Sequence, residues 1–343
     1  MRCHTPGDSP MWDFSIGKAI AAVLRTLPFI ALRLLVYFGI GAAYLLATGI
    51  GAGFGWGIGH FWADPDAPVG AAFWGGAIGF GVVSFALYLA REYILYLVKA
   101  AHIAVLVEIY DGHPIPSGQG QVGFGAQVVK THFAESSILF GVDQIIKAVL
   151  RALFRIVNIF TAFLPIPALQ TLIRFAETVV RMSLTYVDEI ILAYLIRTKT
   201  ANPWQTAEDG LILYAQNYKH FLKNAIWLSV FMWGLTILIF FVLLAPAAAL
   251  LALFPGELGA WGFAFAFIFA WALKAAIMEP LAIAALMQVF FETIEGQTPN
   301  PEWKARLDQA SAKFRNLGKR ALDWVSGPAK GTPPKAGPTV PAA

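Results

Sequence analysis

The sequence predicts an all-α, polytopic helical membrane protein. About six apolar helices are expected, four clear spans plus a helical hairpin striped with charge, each long enough for the ~20 residues that cross a bilayer. Amphipathic helices are expected at both ends. Three observations carry this. The 343 residues are 58% hydrophobic and only 13% charged, where a soluble domain carries about 25%. Mean hydropathy is +0.63. The charges that do occur collect in short loops or in narrow stripes, which leaves long runs of lipid-compatible sequence. The net charge of +4 then reflects cytoplasmic loops and not nucleic-acid binding. Cys3 is the single cysteine, so an intrachain disulfide is excluded and a cysteine metal site is disfavoured.

Residues 1–28 form an N-terminal tail and an amphipathic helix. Trp12, Ile16, Ile20, Val23 and Leu27 share one face, with Lys18 and Arg25 off it. Such a helix suits the membrane interface. The helical membrane domain occupies 29–297. Its first span, 29–59, ends in glycines that form two rows with four-residue spacing, Gly51–Gly55–Gly59 and Gly49–Gly53–Gly57. The second span begins near Val69 and carries Gly75 and Gly79. Glycine permits the close backbone approach on which helix association in lipid depends. A packed hairpin, self-association into a homo-oligomer and a flexible hinge all fit the pattern.

The connection "HFWADPDAPVG" holds Asp64 and Asp66 and no Lys or Arg, whereas Arg91, Lys99 and Lys130 lie beyond the second span. The positive-inside rule places that second side in the cytoplasm. The helix either continues to about Tyr110 or breaks near Arg91. Residues 111–128 read as a Gly/Pro-rich loop.

A hairpin over 134–197 follows, divided by "LPIP" at Leu164–Pro167, because proline ends helices. Its first helix carries Asp143, Lys147, Arg151 and Arg155 at every fourth position. Its second carries Arg174, Glu177, Arg181 and Asp188, with Glu189 adjacent. Positions four apart share a helix face. Each charge at the centre of a lone spanning helix costs about 2.5–3.5 kcal/mol, so these stripes require compensation. They line an aqueous route, close on each other as a dry seam, or lie among headgroups with the hairpin in the interface.

A short helix is expected from Thr206, then spans over 224–254 and 260–293. The last span holds Lys274 and Glu279, the latter directly before Pro280. Ionisable residues at membrane depth are functional candidates. Residues 298–325 read as a basic amphipathic helix. Trp303, Leu307, Ala310, Phe314, Leu317, Ala321 and Trp324 form its apolar stripe, and Lys304, Arg306, Lys313, Arg315, Lys319 and Arg320 fill the other positions. This suits an anionic lipid surface, with a partner helix as the rival. Residues 326–343, rich in Pro, Gly and small side chains, read as disordered.

No zinc-binding HExxH, nucleophile-elbow or phosphate-loop pattern occurs. No enzyme activity, cofactor or metal is therefore expected. The segments "THFAESSILFGVDQIIKAVLRAL", "TAEDGLILYAQNYKHFLKNA" and "VFFETIE" follow one another in an order that resembles the membrane half of choline-transporter-like proteins, over about 131–293. The chain is shorter than that family and lacks its cysteine-bearing extracellular loop, and no binding residue carries over. The resemblance implies transport.

The leading expectation is thus a membrane transporter or channel-like protein for a small polar or charged solute, using the hairpin stripes with Lys274 and Glu279. The alternative is a non-catalytic organiser that binds anionic lipid headgroups or partner proteins. Location in the cell (inner) membrane with both termini cytoplasmic follows from the even span count and the Lys/Arg bias.

Overall fold

The structure, a computed structural model, describes residues 12–62, 66–115, 120–132, 141–150, 186–199, 201–253 and 257–326. Every element among them is helical: α1 (Ile16–Arg25), α2 (Leu27–Gly59), α3 (Ala67–Tyr110), α4 (Gln121–His132), α5 (141–150), α6 (Val187–Thr198), α7 (Pro203–Gln216), α8 (Tyr218–Leu253), α9 (Glu257–Ile294), α10 (Pro301–Ala310) and α11 (Ala312–Ser326). Local chemistry sets several boundaries. Ser15 caps α1 by accepting from the Lys18 amide at 3.3 Å. Asn202 and Asn300 cap α7 and α10, each followed by a proline at the first helical position, where a missing N–H costs nothing. Helix α7 therefore starts three residues before the expected Thr206.

Among the described residues, four helices are long and apolar enough to cross a membrane. The qualifying stretches are Leu27–Gly59, Ala67–Leu87, Tyr218–Ile239 and Phe267–Ile294. Of the two expected courses for α3, the continuous one holds: 44 residues run unbroken through Arg91 to Tyr110. That is roughly 66 Å, twice the ~30 Å hydrocarbon thickness. Pro280 lies inside α9 without ending it. Of the expected hairpin, 134–140 and 151–185, including "LPIP", lie outside the described residues.

The chain divides into two compact units. One holds 27–99 and 233–280, contributed by α2, α3, α8 and α9. Its outward side chains are mainly apolar: Phe54, Phe73 and Phe85 are each about 70% exposed, as are Trp62 and Trp74. A soluble surface does not present a continuous coat of this kind; lipid accepts it. Within this unit α2 and α3 pack backbone to backbone. A Cβ placed on Gly51 would fall on the Gly75 carbonyl, one on Gly55 on the Ala71 carbonyl, and one on Gly59 on Pro68. The other row does not take part, since nothing lies within 4 Å of a Cβ at Gly53 or Gly57.

The other unit holds 12–26, 100–232 and 281–326 among the described residues. It has a conventional core: Ile103, Leu106, Ile146, Ile191, Ile212, Phe290, Phe314 and Leu317 are fully enclosed. Helix α11 packs against α7, and α10 packs against both. Here the C-terminal expectation is corrected. The stretch is not one helix, because it breaks at extended Ser311. Much of its apolar stripe is covered by protein: Leu307, Phe314, Leu317 and Ala321 are buried in this unit, while Ala310 and Trp324 stay exposed. The basic residues are partly engaged as well. Lys304 pairs with buried Glu208, Arg320 stacks over Trp204 at 5.0 Å, Arg306 lies over Trp303 at 4.9 Å, and Arg315 donates to the Asp308 carbonyl. Lys313 and Lys319 stay outward, beside a shallow concavity of about 310 Å³. Helix α1 buries Ala19, Ala22 and Val23, and Phe14 just before it is buried as well, while Ile20 and Leu24 remain exposed.

Candidate functional site

Within the apolar-coated unit, one charged cluster forms where α2, α3 and α9 meet. Arg33 sits on the α2 face that also buries Phe29 and Tyr37, at four-residue spacing. Its side chain is 2% exposed. The Arg33 Nη1 donates to Glu279 Oε2 at 2.9 Å. Tyr37 Oη donates to the same oxygen at 2.6 Å, the short distance typical of a hydroxyl on a carboxylate. Lys99, from α3, pairs with the other oxygen, Oε1. Glu279 is thus the hub. Both of its oxygens are engaged by groups from two other helices, and Trp271 packs edge-on to Tyr37 at 5.8 Å.

Two cations, Arg33 and Lys99, share one carboxylate. Moreover, the Nε and Nη2 groups of Arg33 are buried and have no hydrogen-bond partner among the described residues. Buried charged donors are normally paired, so this edge of the guanidinium is anomalous. Lys274, expected to act with Glu279, is exposed on the same helix, and the cations paired with Glu279 among the described residues are Arg33 and Lys99 instead.

The stripe residues that are described lie in the other unit. Asp143 accepts Lys147 at 2.9 Å, the i,i+4 pair their spacing implies, and Lys147 also lies 3.6 Å from Asp188. Asp143, Asp188 and Glu189 are all buried. Burial first, then the neighbouring charge and hydrogen bond of Glu189, raise the Asp188 carboxyl well above the usual carboxylate range. Burial alone would lower Lys147, but Asp143, hydrogen-bonded to it, and the other acids nearby outweigh that and raise it. The lysine therefore stays charged, with Asp143 its nearer partner. Arg151, Arg155, Arg174, Glu177 and Arg181 lie outside the described residues.

This unit also has an open cleft of about 810 Å³, lined by Lys18, Arg25, Asp111, Arg197, Glu292 and Glu295 among others. Three of those residues are basic and three acidic. Arg197 pairs with Asp111 at 2.8 Å and stacks over Phe291 at 4.3 Å. Tyr110 borders the cleft with its hydroxyl donating to the Ala284 carbonyl and accepting from Gln288; burial above all raises it to about 12.

The fold and its exposed apolar coat define a polytopic all-α membrane protein with a buried charged cluster among its candidate spans. No family model matches the chain, and neither a curated protein nor a solved structure matches it. Sequence reasoning found Glu279 but missed Arg33 and Tyr37, and took Lys99 only as a marker of topology. The signal for Arg33 was present. It is the only Asp, Glu, Lys or Arg between Arg25 and Asp64, and a lone ionisable residue in an apolar run is a functional candidate by the same rule that singled out Glu279.

Proposed function

We propose that the chain is a membrane transporter or channel-like protein for a small charged solute, with the Arg33–Tyr37–Lys99–Glu279 cluster on its solute route. One observation carries this: in an apolar bundle, the Nε and Nη2 donors of the buried Arg33 guanidinium have no hydrogen-bond partner among the described residues. A purely structural arginine would be expected to have its buried donors paired, because a buried donor left unpaired is costly. Cationic donors held ready in this way are what attracts a passing anion.

Orientation follows from the connections. The acidic turn after α2 faces outward and the lysine- and arginine-bearing ends face the cytoplasm, with both termini on that side of the cell membrane. About 20 residues cross the hydrocarbon. Counting from the turns after α2 and α8, Arg33, Lys99 and Glu279 fall near the cytoplasmic edge of the apolar zone and not at its midplane. There an anion from the cytoplasm reaches them at a smaller desolvation cost. The choline-transporter-like resemblance supports transport in general and nothing finer.

The organiser reading draws on a different feature. Ile20 and Leu24 are exposed on α1 between Lys18 and Arg25, a pattern suited to an anionic lipid surface. Flux separates the two. Proteoliposomes with purified protein are expected to pass small anions, and Glu279→Gln is expected to change the rate or its pH dependence. A folded protein with no flux across a panel of inorganic and organic anions and cations would leave the organiser reading standing.

A further inference from the structure

We propose that the Nε/Nη2 edge of Arg33 recognises an anionic group with two terminal oxygens, a carboxylate or a phosphate, carried by a small solute or by a lipid headgroup. The inference rests on reading the cluster as a solute site and names the chemistry that site takes.

The guanidinium is planar, with five N–H donors in fixed directions. Nη1 is committed to Glu279. The Nε–H and the adjacent Nη2–H point the same way from the other side of the group. They form the fork that matches a pair of oxygens. Both are buried and unpartnered among the described residues, on a side chain only 2% exposed. Neither Glu279 oxygen is left over to turn toward that edge, because Arg33 Nη1 and Tyr37 hold one and Lys99 holds the other. Phe29 and Ile30, one turn before Arg33, are buried and offer no acceptor side chain. A singly charged oxoanion on the fork would pair both donors and neutralise the guanidinium edge they belong to. A halide has no second oxygen for the second N–H, so the geometry discriminates by shape as well as by charge.

The test uses the full chain purified in a neutral maltoside detergent. Inorganic phosphate, acetate and chloride are titrated at fixed ionic strength, with binding read by calorimetry and by the shift in thermal unfolding. The expected result is saturable binding of phosphate or acetate but not of chloride, weakened by about tenfold or more in R33K, which keeps the charge and loses the fork. If R33K does not fold, the wild-type contrast decides alone: equal responses to all three anions, or none, overturn the proposal. Nanodiscs of phosphatidylcholine with and without phosphatidylglycerol separate the sources. Weaker phosphate binding when phosphatidylglycerol is present assigns the fork to headgroups, unchanged binding assigns it to solute, and both support the recognition chemistry. Arg33-dependent binding without flux would refute transport and keep this inference, whereas flux without such binding would do the reverse.

Discussion

Replacing Glu279 with glutamine keeps the shape of the hub and removes its charge. The carbonyl of the introduced amide can still accept from Tyr37 and from Arg33, so the loss is electrostatic. Removing one member of a buried pair costs about 3–5 kcal/mol. Glu279 keeps 18% side-chain exposure while Arg33 keeps 2%, which points to the lower end, about 3 kcal/mol, or roughly a hundredfold in the folding equilibrium. Lys99, a quarter exposed, adds at most the ~1 kcal/mol of a surface pair. Unfolding in mixed micelles of rising dodecyl sulfate content is the assay, followed by tryptophan fluorescence, since Trp271 packs on Tyr37. The companion variant Arg33→Met/Glu279→Met removes both charges. It should recover most of the loss, because replacing a buried ion pair by apolar groups is often close to neutral. A Glu279→Gln loss below about 1 kcal/mol, or a double variant as unstable as the sum of the two singles, would refute the claim that Glu279 neutralises a buried Arg33.

Two further outcomes follow from the packing and the buried acids. Gly55→Leu drives a side chain into the Ala71 carbonyl and should separate α2 from α3, lowering the unfolding midpoint sharply. Gly53→Ala meets nothing within 4 Å and should be neutral or slightly stabilising, by up to about 1 kcal/mol of helix propensity; equal losses at both sites would contradict the assignment of the rows. The raised Asp188 carboxyl binds its proton more tightly folded than unfolded. Its contribution to stability is complete below the ordinary carboxylate range and is lost as pH rises through the raised value. Asp188→Asn should therefore flatten the fall in stability above about pH 4, measured by chemical denaturation across pH, and an unchanged slope would show that Asp188 is not the group responsible.

The fold class was legible because it depends on averages. Composition and run length are local, and they placed the starts of the four apolar helices to within about six residues. The charges spaced by four from Asp143 raised the right question about compensation, and the Asp143–Lys147 pair answers it for the first turn through i,i+4 spacing. The glycine rows were visible too, but the sequence held two equivalent ones. Which row meets α3 depends on the rotation of α2 about its axis, and an unbroken apolar helix carries no periodic signal to fix that rotation.

The candidate site was only partly legible, for a related reason. Arg33 and Glu279 lie 246 residues apart, and nothing in either local sequence states that one answers the other. A one-dimensional reading can say that a charge in an apolar run must be compensated; it cannot say by which partner. The C-terminal stripe shows the same limit from the apolar side. Leu307, Phe314 and Leu317 declare a face that must be covered, and amphipathicity is indifferent to whether lipid, another chain or α7 covers it. Here α7 does, and buried Glu208, facing Lys304, gives that contact a fixed register which lipid would not require. Energetic demands of this kind were written in the sequence, while their solutions depended on helix rotation and on tertiary neighbours. The unmet demand at the Nε/Nη2 edge of Arg33 then becomes informative, because a buried cationic donor pair left over among the described residues points outward to a ligand.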